Sequence, residues 1–399
     1  MTTAAAKRPQ LAHLTAQLDD LRQRGTFFKL RELDDQQAPV CTYDGKRVIN
    51  LASNNYLGLC NHPKLEEAAI AATKRYGVGS GAVRTIAGTM HIHMELEEKI
   101  AAFKGVEACV VFQSGFTANA GTVSSILGKD DFILSDELNH ASIIDGARLS
   151  RAKIKVFRHK DVAHAEELLR EVQNEPGHKL LITDGVFSMD GDIGPVDKLA
   201  HLAEKYGAIM MVDDAHASGV LGRNGRGSVD HFHVTDKVDV QVGTLSKAIG
   251  ALGGYVAGSR TLIDFLYHRA RPFLFSTSHP PAVAASCIAA LDVLEQDPQI
   301  IDRLWVNTRF FKGGLQALGF NTGLSESPIT PVIAGDGALA MKLSDRLFQE
   351  GVFAQGIAFP TVARDKARVR TIVTAAHTRD ELQFALDVFG KVGRELAII

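Results

Sequence analysis

The sequence predicts an α/β protein built on a mostly parallel sheet covered by helices, with a smaller α+β domain after it. Three observations carry this reading. From Lys64 to Thr244, apolar runs of strand length alternate with helical patterns, the grammar of repeated βαβ units. Several of those runs are followed at once by polar residues, at the position where open parallel sheets bind ligands. After Pro280 the alternation stops, and two long helical patterns with shorter strands follow.

Taken in order, Leu11, Leu14, Leu18 and Leu21 recur at helical spacing and stop at Gly25, an amphipathic arm of the kind that packs on something else. VINLAS is a short strand. KLEEAAIAATKRY, FTANAGTVSSIL, HAEELLREV and KLAHLAEKY read as helices, and ACVVFQ, DFILSD, KIKVFRH, KLLITDGVF, AIMMVDD and VDVQVGT as strands. PAVAASCIAALDVLEQ and IIDRLWVNTRFFKGGLQAL are the long helices, with ITPVIAG and RVRTIVTA as later strands. The expected organisation is an N-terminal arm over 1–60, a large domain over 61–290 and a small domain over 291–399.

With 399 residues, 45% hydrophobic and 23% charged, the composition is that of an ordinary globular protein. Its 44 basic and 46 acidic residues nearly cancel, so neither a nucleic-acid nor a membrane surface is expected. Cys41, Cys60, Cys109 and Cys287 are far apart without a CxxC pair, which predicts buried reduced thiols rather than disulfides or a zinc knuckle. MTTAAAKRPQ lacks the apolar stretch of a secretory signal and no run is long enough to span a membrane, so the expected compartment is the cytoplasm.

The chemistry sits at the strand ends. Ser114-Gly115-Phe116 opens a helix after a strand, where backbone amides and the helix dipole can receive an anion; by itself it reads better as a plain strand-to-helix turn with a serine N-cap. Asp213, Asp214 and His216 suggest a metal cluster, a structural cluster, or one carboxylate holding a proton on a cofactor's ring nitrogen. No metal-site spacing completes them, and adjacent strand residues face opposite ways, so only one aspartate serves the third role. Arg368 and Arg370 share a strand face, either solvated or forming a fork for a carboxylate. Gly77-Val78-Gly79-Ser80-Gly81-Ala82 fits GxGxxA but follows a helix, so it is no dinucleotide site. Lys247 lies in GTLSKAIGALGG, among residues that would desolvate its amine. A lysine, an acid, an anion-binding turn and a carboxylate-binding arginine together describe a pyridoxal 5'-phosphate (PLP) enzyme.

The blocks NLASNNYLGL, GVGSGAVRTIAGT, QSGFTANAG, SDELNHASIIDG, TDGVFSMDGDIGP, VDDAHASGVLG, GTLSKAIG, RPFLFSTSHPP and ARVRTIVTAAHT resemble the α-oxoamine synthases, which join an amino acid to an acyl-CoA. The resemblance runs from about Leu11 to the end. It implies the fold type I PLP-dependent transferase architecture, aminotransferase-like, and a homodimer with shared active sites. It further implies that Lys247 carries PLP as a Schiff base and removes the Cα proton, that Asp213 partners the pyridine nitrogen, and that His140 stacks on the ring. His216 and Ser188 would stand near the ring hydroxyl; Ser114, Gly115, Phe116 and Thr244 would bind the phosphate, with Thr277 and Ser278 reaching it from the neighbouring subunit. Asn54 and Arg370 would contact the substrate carboxylate. No metal is implied.

Within the family, TDGVFSMDG, NHASIIDG and AAHT look most like the glycine C-acetyltransferases, which condense glycine with acetyl-CoA; that route implies a threonine dehydrogenase partner. QSGF and GSGAVRTIAGT also suit the branch that joins alanine to pimeloyl-CoA with loss of carbon dioxide, and a dual-specificity enzyme lies between. The 5-aminolevulinate synthases and serine palmitoyltransferases fit less well. A non-catalytic PLP-binding regulator is the alternative of another class, against which Lys247, Asp213 and His140 are all chemically competent.

Overall fold

The computed structural model describes residues 9–399; residues 1–8, part of the stretch read as lacking a secretory signal, lie outside the described residues. Helix α1 (Ala12–Gln23) buries none of its residues, and Leu11, Leu14 and Leu18 stand exposed. Strands β1 (Val40–Tyr43) and β2 (Lys46–Asn50) form a hairpin whose turn residues, Asp44 and Gly45, both have positive φ, the twist-matching turn that an Asp-Gly pair supplies. Helices α2 (Pro63–Tyr76) and α3 (His91–Lys104) follow. The chain then alternates through β3 (Ala108–Phe112), α4 (Gly115–Ile126), β4 (Phe132–Asp136), α5 (Ala141–Ser150), β5 (Lys153–Phe157), α6 (Val162–Val172), β6 (Lys179–Asp184), α7 (Val196–Tyr206) and β7 (Ile209–Asp213). A short α8 (Ser228–His231) leads into β8 (Val240–Thr244), β9 (Gly254–Gly258), α9 (Arg260–Arg269) and α10 (Arg271–Leu274).

These strands form one seven-stranded sheet in the order β3-β9-β8-β7-β6-β4-β5. Only β9 runs against the others, pairing antiparallel with both β3 and β8. Side chains alternate across it: Val110, Ile182 and Val242 pack under α4, α5 and α9, while Leu134, Leu181 and Met210 pack under α6 and α7. The parallel strands are therefore buried on both faces, as their unbroken apolar runs require.

Helix α11 (Pro281–Gln296) packs on α2 and α3. The expected boundary at 290 lies inside this helix, and we propose the junction after it, at Asp297–Pro298, before α12 (Gln299–Ala317). The small domain holds β10 (Ile329–Gly335), α13 (Gly337–Gln349), β11 (Val352–Phe353), β12 (Gln355–Ile357), β13 (Ala367–Ile372) and α14 (Arg379–Glu395). Its antiparallel sheet runs β10-β13-β12, while β11 pairs parallel with β2. That pairing, with the amide of Ile372 donating to the carbonyl of Leu51 and that of Ala375 to Tyr56, stitches the segment NLASNNYLGL to the small domain. Cys41, Cys109 and Cys287 are buried, but Cys60 is exposed, a correction to the expectation of four buried thiols: it sits on a surface turn at Leu59–Asn61. Among the described residues no helix is long and apolar enough to cross a membrane.

Candidate active site

Five parallel strands deliver their following loops to one end of the sheet. At the end of β3, the Ser114 side chain accepts from the Thr117 amide at 3.1 Å while the Thr117 hydroxyl accepts from the Ser114 amide at 3.0 Å. This capping box leaves the amides of Gly115 and Phe116 at the helix start without intrahelical acceptors, as an anion site needs. A Cβ on Gly115 would stand 3.5 Å from Cβ of Thr244, so the turn and the end of β8 converge. Gly254 makes room for it: a Cβ there would lie 2.4 Å from the Gly115 nitrogen. The Thr244 hydroxyl donates to the Gly253 carbonyl at 2.8 Å.

Asp213 ends β7 with its carboxylate facing α4, where it accepts from Asn119 Nδ2 at 2.6 Å and from the Ala215 amide at 2.8 Å. Asp214 faces the other way and is spent on Lys104 Nζ at 2.9 Å, both side chains being fully buried. The neighbouring aspartates thus divide as strand alternation demands, and the run does not converge on a metal. Asp184, registered against Asp213 on β6, is driven well above the usual carboxylate range by burial and by the charge of Asp213.

Lys247 follows β8 in the turn after Thr244. Burial pulls its ammonium down to about 8, with Asp213 and Asp184 opposing through space and Arg370 adding to the fall. His216 is buried and held well below its ordinary range by burial and by Lys247, Arg370 and His140; its Nδ1 lies 2.7 Å from the Tyr56 hydroxyl. His140, on the loop after β4, caps the N-terminus of α5 and is exposed at the residue level.

From the small domain, Arg370 on β13 donates to the Ser188 carbonyl at 3.1 Å. Arg368, on the same face, is engaged by the Met189 carbonyl and the Asp190 carboxylate at 2.9 and 2.6 Å, which separates the two arginines: only Arg370 faces the groups around Lys247. Asn54 has a buried Oδ1 without a hydrogen-bond partner. Thr277 lies beside Gln113 of its own chain, its carbonyl accepting from that amide at 2.7 Å, and the Ser278 hydroxyl is 2.5 Å from that of Ser80. Tyr56, Asn119, Ser142 and Asp184 are the members of this constellation that sequence reasoning missed.

The arrangement fits PLP on its own terms: a glycine-lined anion cradle, a buried carboxylate at the end of β7, a depressed lysine amine and an unsatisfied asparagine. The comparisons with known proteins agree. Residues 46–389 match the family model described as aminotransferase class I and II, and the chain belongs to that family. It is a PLP-dependent acyltransferase of the α-oxoamine synthase group, with the fold type I architecture. It is 61% identical over 386 residues to the 8-amino-7-oxononanoate synthase of Symbiobacterium thermophilum, covering 97% of this chain and 98% of that one. The 8-amino-7-oxononanoate synthase 1 of Bacillus subtilis is 55% identical with the same coverages. Among solved structures, a serine palmitoyltransferase variant of S. paucimobilis with bound PLP–myriocin superposes with a TM-score of 0.93 at 31% identity, covering 98% of this chain and 99% of that one.

Proposed function

We propose that this chain condenses L-alanine with pimeloyl-CoA, releasing CoA and carbon dioxide, to give 8-amino-7-oxononanoate. The observation that carries the choice is the 61% identity, over nearly all of both chains, to a relative of that name. It favours the alanine branch over the glycine and acetyl-CoA pair that the local blocks suggested, and the threonine dehydrogenase partner, tied to the glycine route, is not part of this reading.

When bound, PLP supplies an electron sink conjugated to the amino acid's Cα. The amides of Gly115 and Phe116, with Ser114 and Thr244, hold its phosphate. Asp213 keeps a proton on the ring nitrogen, His140 covers the ring face, and Ser188 and His216 stand near the ring hydroxyl. Asn54 and Arg370 bind the substrate carboxylate, a guanidinium fork being suited to that geometry. Lys247 Nζ takes the Cα proton, its depressed affinity for protons placing a neutral amine within reach at neutral to mildly alkaline pH. The protein acts as a homodimer in which Thr277 and Ser278 reach the neighbouring subunit's phosphate.

The test is CoA thiol release by PLP-loaded protein with glycine or alanine, each combined with acetyl-CoA or pimeloyl-CoA. Alanine with pimeloyl-CoA is expected to give the highest kcat/KM. A preference for glycine with acetyl-CoA would overturn the substrate assignment, and no release with any pair would favour a regulator. The methyl that separates the two amino acids is worth about 1–3 kcal/mol in a pocket, so the expected preference between them is about 10- to 200-fold.

A further inference from the structure

Behind the aspartate and the histidine that flank the cofactor in the reading above lies a directed hydrogen-bond chain that joins them. Asn119 Nδ2 is 2.6 Å from Asp213 Oδ2 and 2.9 Å from Ser142 Oγ, and Ser142 Oγ is 2.7 Å from His140 Nδ1. The direction of each bond follows from chemistry. An ionised carboxylate only accepts, so the nitrogen of the Asn119 amide must face Asp213, and its second N–H is then donated to the Ser142 oxygen. The Ser142 amide also points at His140 Nδ1, at 3.2 Å, and an amide only donates. Nδ1 is therefore unprotonated and accepts from the Ser142 hydroxyl as well. The network assigns His140 as neutral with its proton on Nε2.

The packing that brings these groups together is local and specific. Asn119 lies on α4 and Ser142 on α5, both buried. Gly146, one turn after Ser142 on the same face, sits where a Cβ would stand 3.0 Å from the Ala120 Cα and 3.2 Å from the Asn119 carbonyl. The glycine lets α5 close onto α4 at the turn carrying Asn119. Asn119 Oδ1 is buried without a partner, a cost accepted for the placement of both N–H groups.

We propose that Asn119 and Ser142 are positioning residues that hold the Asp213 carboxylate toward the ring nitrogen of PLP and keep the His140 imidazole neutral over the ring face. A protonated pyridine ring under a protonated imidazole would be two stacked cations; the Asn119–Ser142 chain removes the second charge while its other arm supports the first. Burial lowers the proton affinity of His140, opposed by Asp213 and aided by Lys247, in keeping with a neutral ring. Asp184, His140 and Lys247 are the titratable groups whose charge acts across Asp213.

This inference rests on the assignment of Asp213 and His140 to the cofactor, and the experiment separates the two. PLP affinity and the absorption spectrum of bound PLP are measured against pH for the parent, Asp213→Ala, Asn119→Ala, Asn119→Asp, Ser142→Ala and the Asn119→Ala/Ser142→Ala double variant. Asn119→Ala is expected to weaken PLP binding about 10-fold and Ser142→Ala about 3-fold, with the double variant no worse than Asn119→Ala alone, because one chain is cut twice. Asn119→Asp, of the same shape, is expected to bind PLP about as Ser142→Ala does near pH 5, where a protonated carboxyl keeps the donation to Asp213 but has no second proton for Ser142. It should weaken at least 10-fold by pH 8, a pH profile that a merely structural role would not produce. Multiplicative single effects, or an Asn119→Asp profile parallel to the parent's, would overturn the relay. Should the alanine variants fail to fold, the Asn119→Asp profile decides alone. If Asp213→Ala keeps the parent spectrum and affinity, the assignment of Asp213 fails instead.

Discussion

Lys247 shows how a single residue's surroundings set its chemistry. An exposed lysine is almost wholly charged at neutral pH, whereas burial beside Arg370 brings this one to about 8 even with two aspartates opposing. A base works in its deprotonated form, so turnover of the loaded protein is expected to rise as pH increases through about 8 and to level off above it. A flat profile between pH 6 and 9 would contradict the role given to its amine. Tyr56 adds a second lesson at this scale. Its hydroxyl, wholly buried, meets His216 Nδ1 at 2.7 Å, and burial holds His216 well below its ordinary range, so each gives the other a hydrogen-bond partner in the interior.

The elements place these residues through pairs that have no part in the proposed reaction. Lys104, at the end of α3, binds the buried Asp214 and so holds the turn after β7. Lys104→Ala strands that carboxylate and is expected to cost about 3–5 kcal/mol in urea unfolding, whereas Lys104→Met with Asp214→Leu should recover most of it. His159 does similar work beyond β5, at 3.0 Å from Asp136 and 2.9 Å from Asp192. Burial lowers its proton affinity and the two aspartates more than reverse this, pushing it up to about 9. Because the folded value exceeds the ordinary one near 6.5, the stabilisation is complete below about pH 6.5 and is lost as pH rises through about 9. The parent should therefore exceed His159→Gln by on the order of 2 to 3 kcal/mol at pH 6, and the gap should close by pH 10; a constant gap would mean packing alone. The strand ends bearing Ser114, His140, Asp213 and Lys247 were legible because continuous apolar runs stop abruptly at polar residues. β9 was not, since GYVAG is short and bounded by glycines, and β11 and β12 are too short to show a period. Asn119 was hidden for a different reason: it is one polar residue inside an apolar helix, and its partner Asp213 is brought to it only by the sheet.

At the scale of the whole molecule, β13 of the small antiparallel sheet brings Arg370 to the Ser188 carbonyl beyond β6, and the site as proposed also draws Asn54 from the segment after β2. The exposed leucines of α1 and the exposed Thr277 beside the phosphate turn suit the proposed homodimer with shared sites. Mixing and re-equilibrating Lys247→Ala with a Thr277→Ala/Ser278→Ala variant should then restore up to about a quarter of parental activity, since one site in mixed dimers receives every native group; no recovery would indicate self-contained subunits. The family and its cofactor were readable from motif order along the chain, whereas the substrate pair was not, because alanine and glycine differ by one methyl and the acyl chain is read by pocket length. The claim on which all of this depends is that Lys247 is the lysine that carries PLP. Borohydride reduction of the PLP-loaded protein followed by peptide mapping tests it most directly. One phosphopyridoxyl group per chain is expected, on Lys247, and none in Lys247→Ala; a label on another lysine, or no label on the parent, would contradict the assignment.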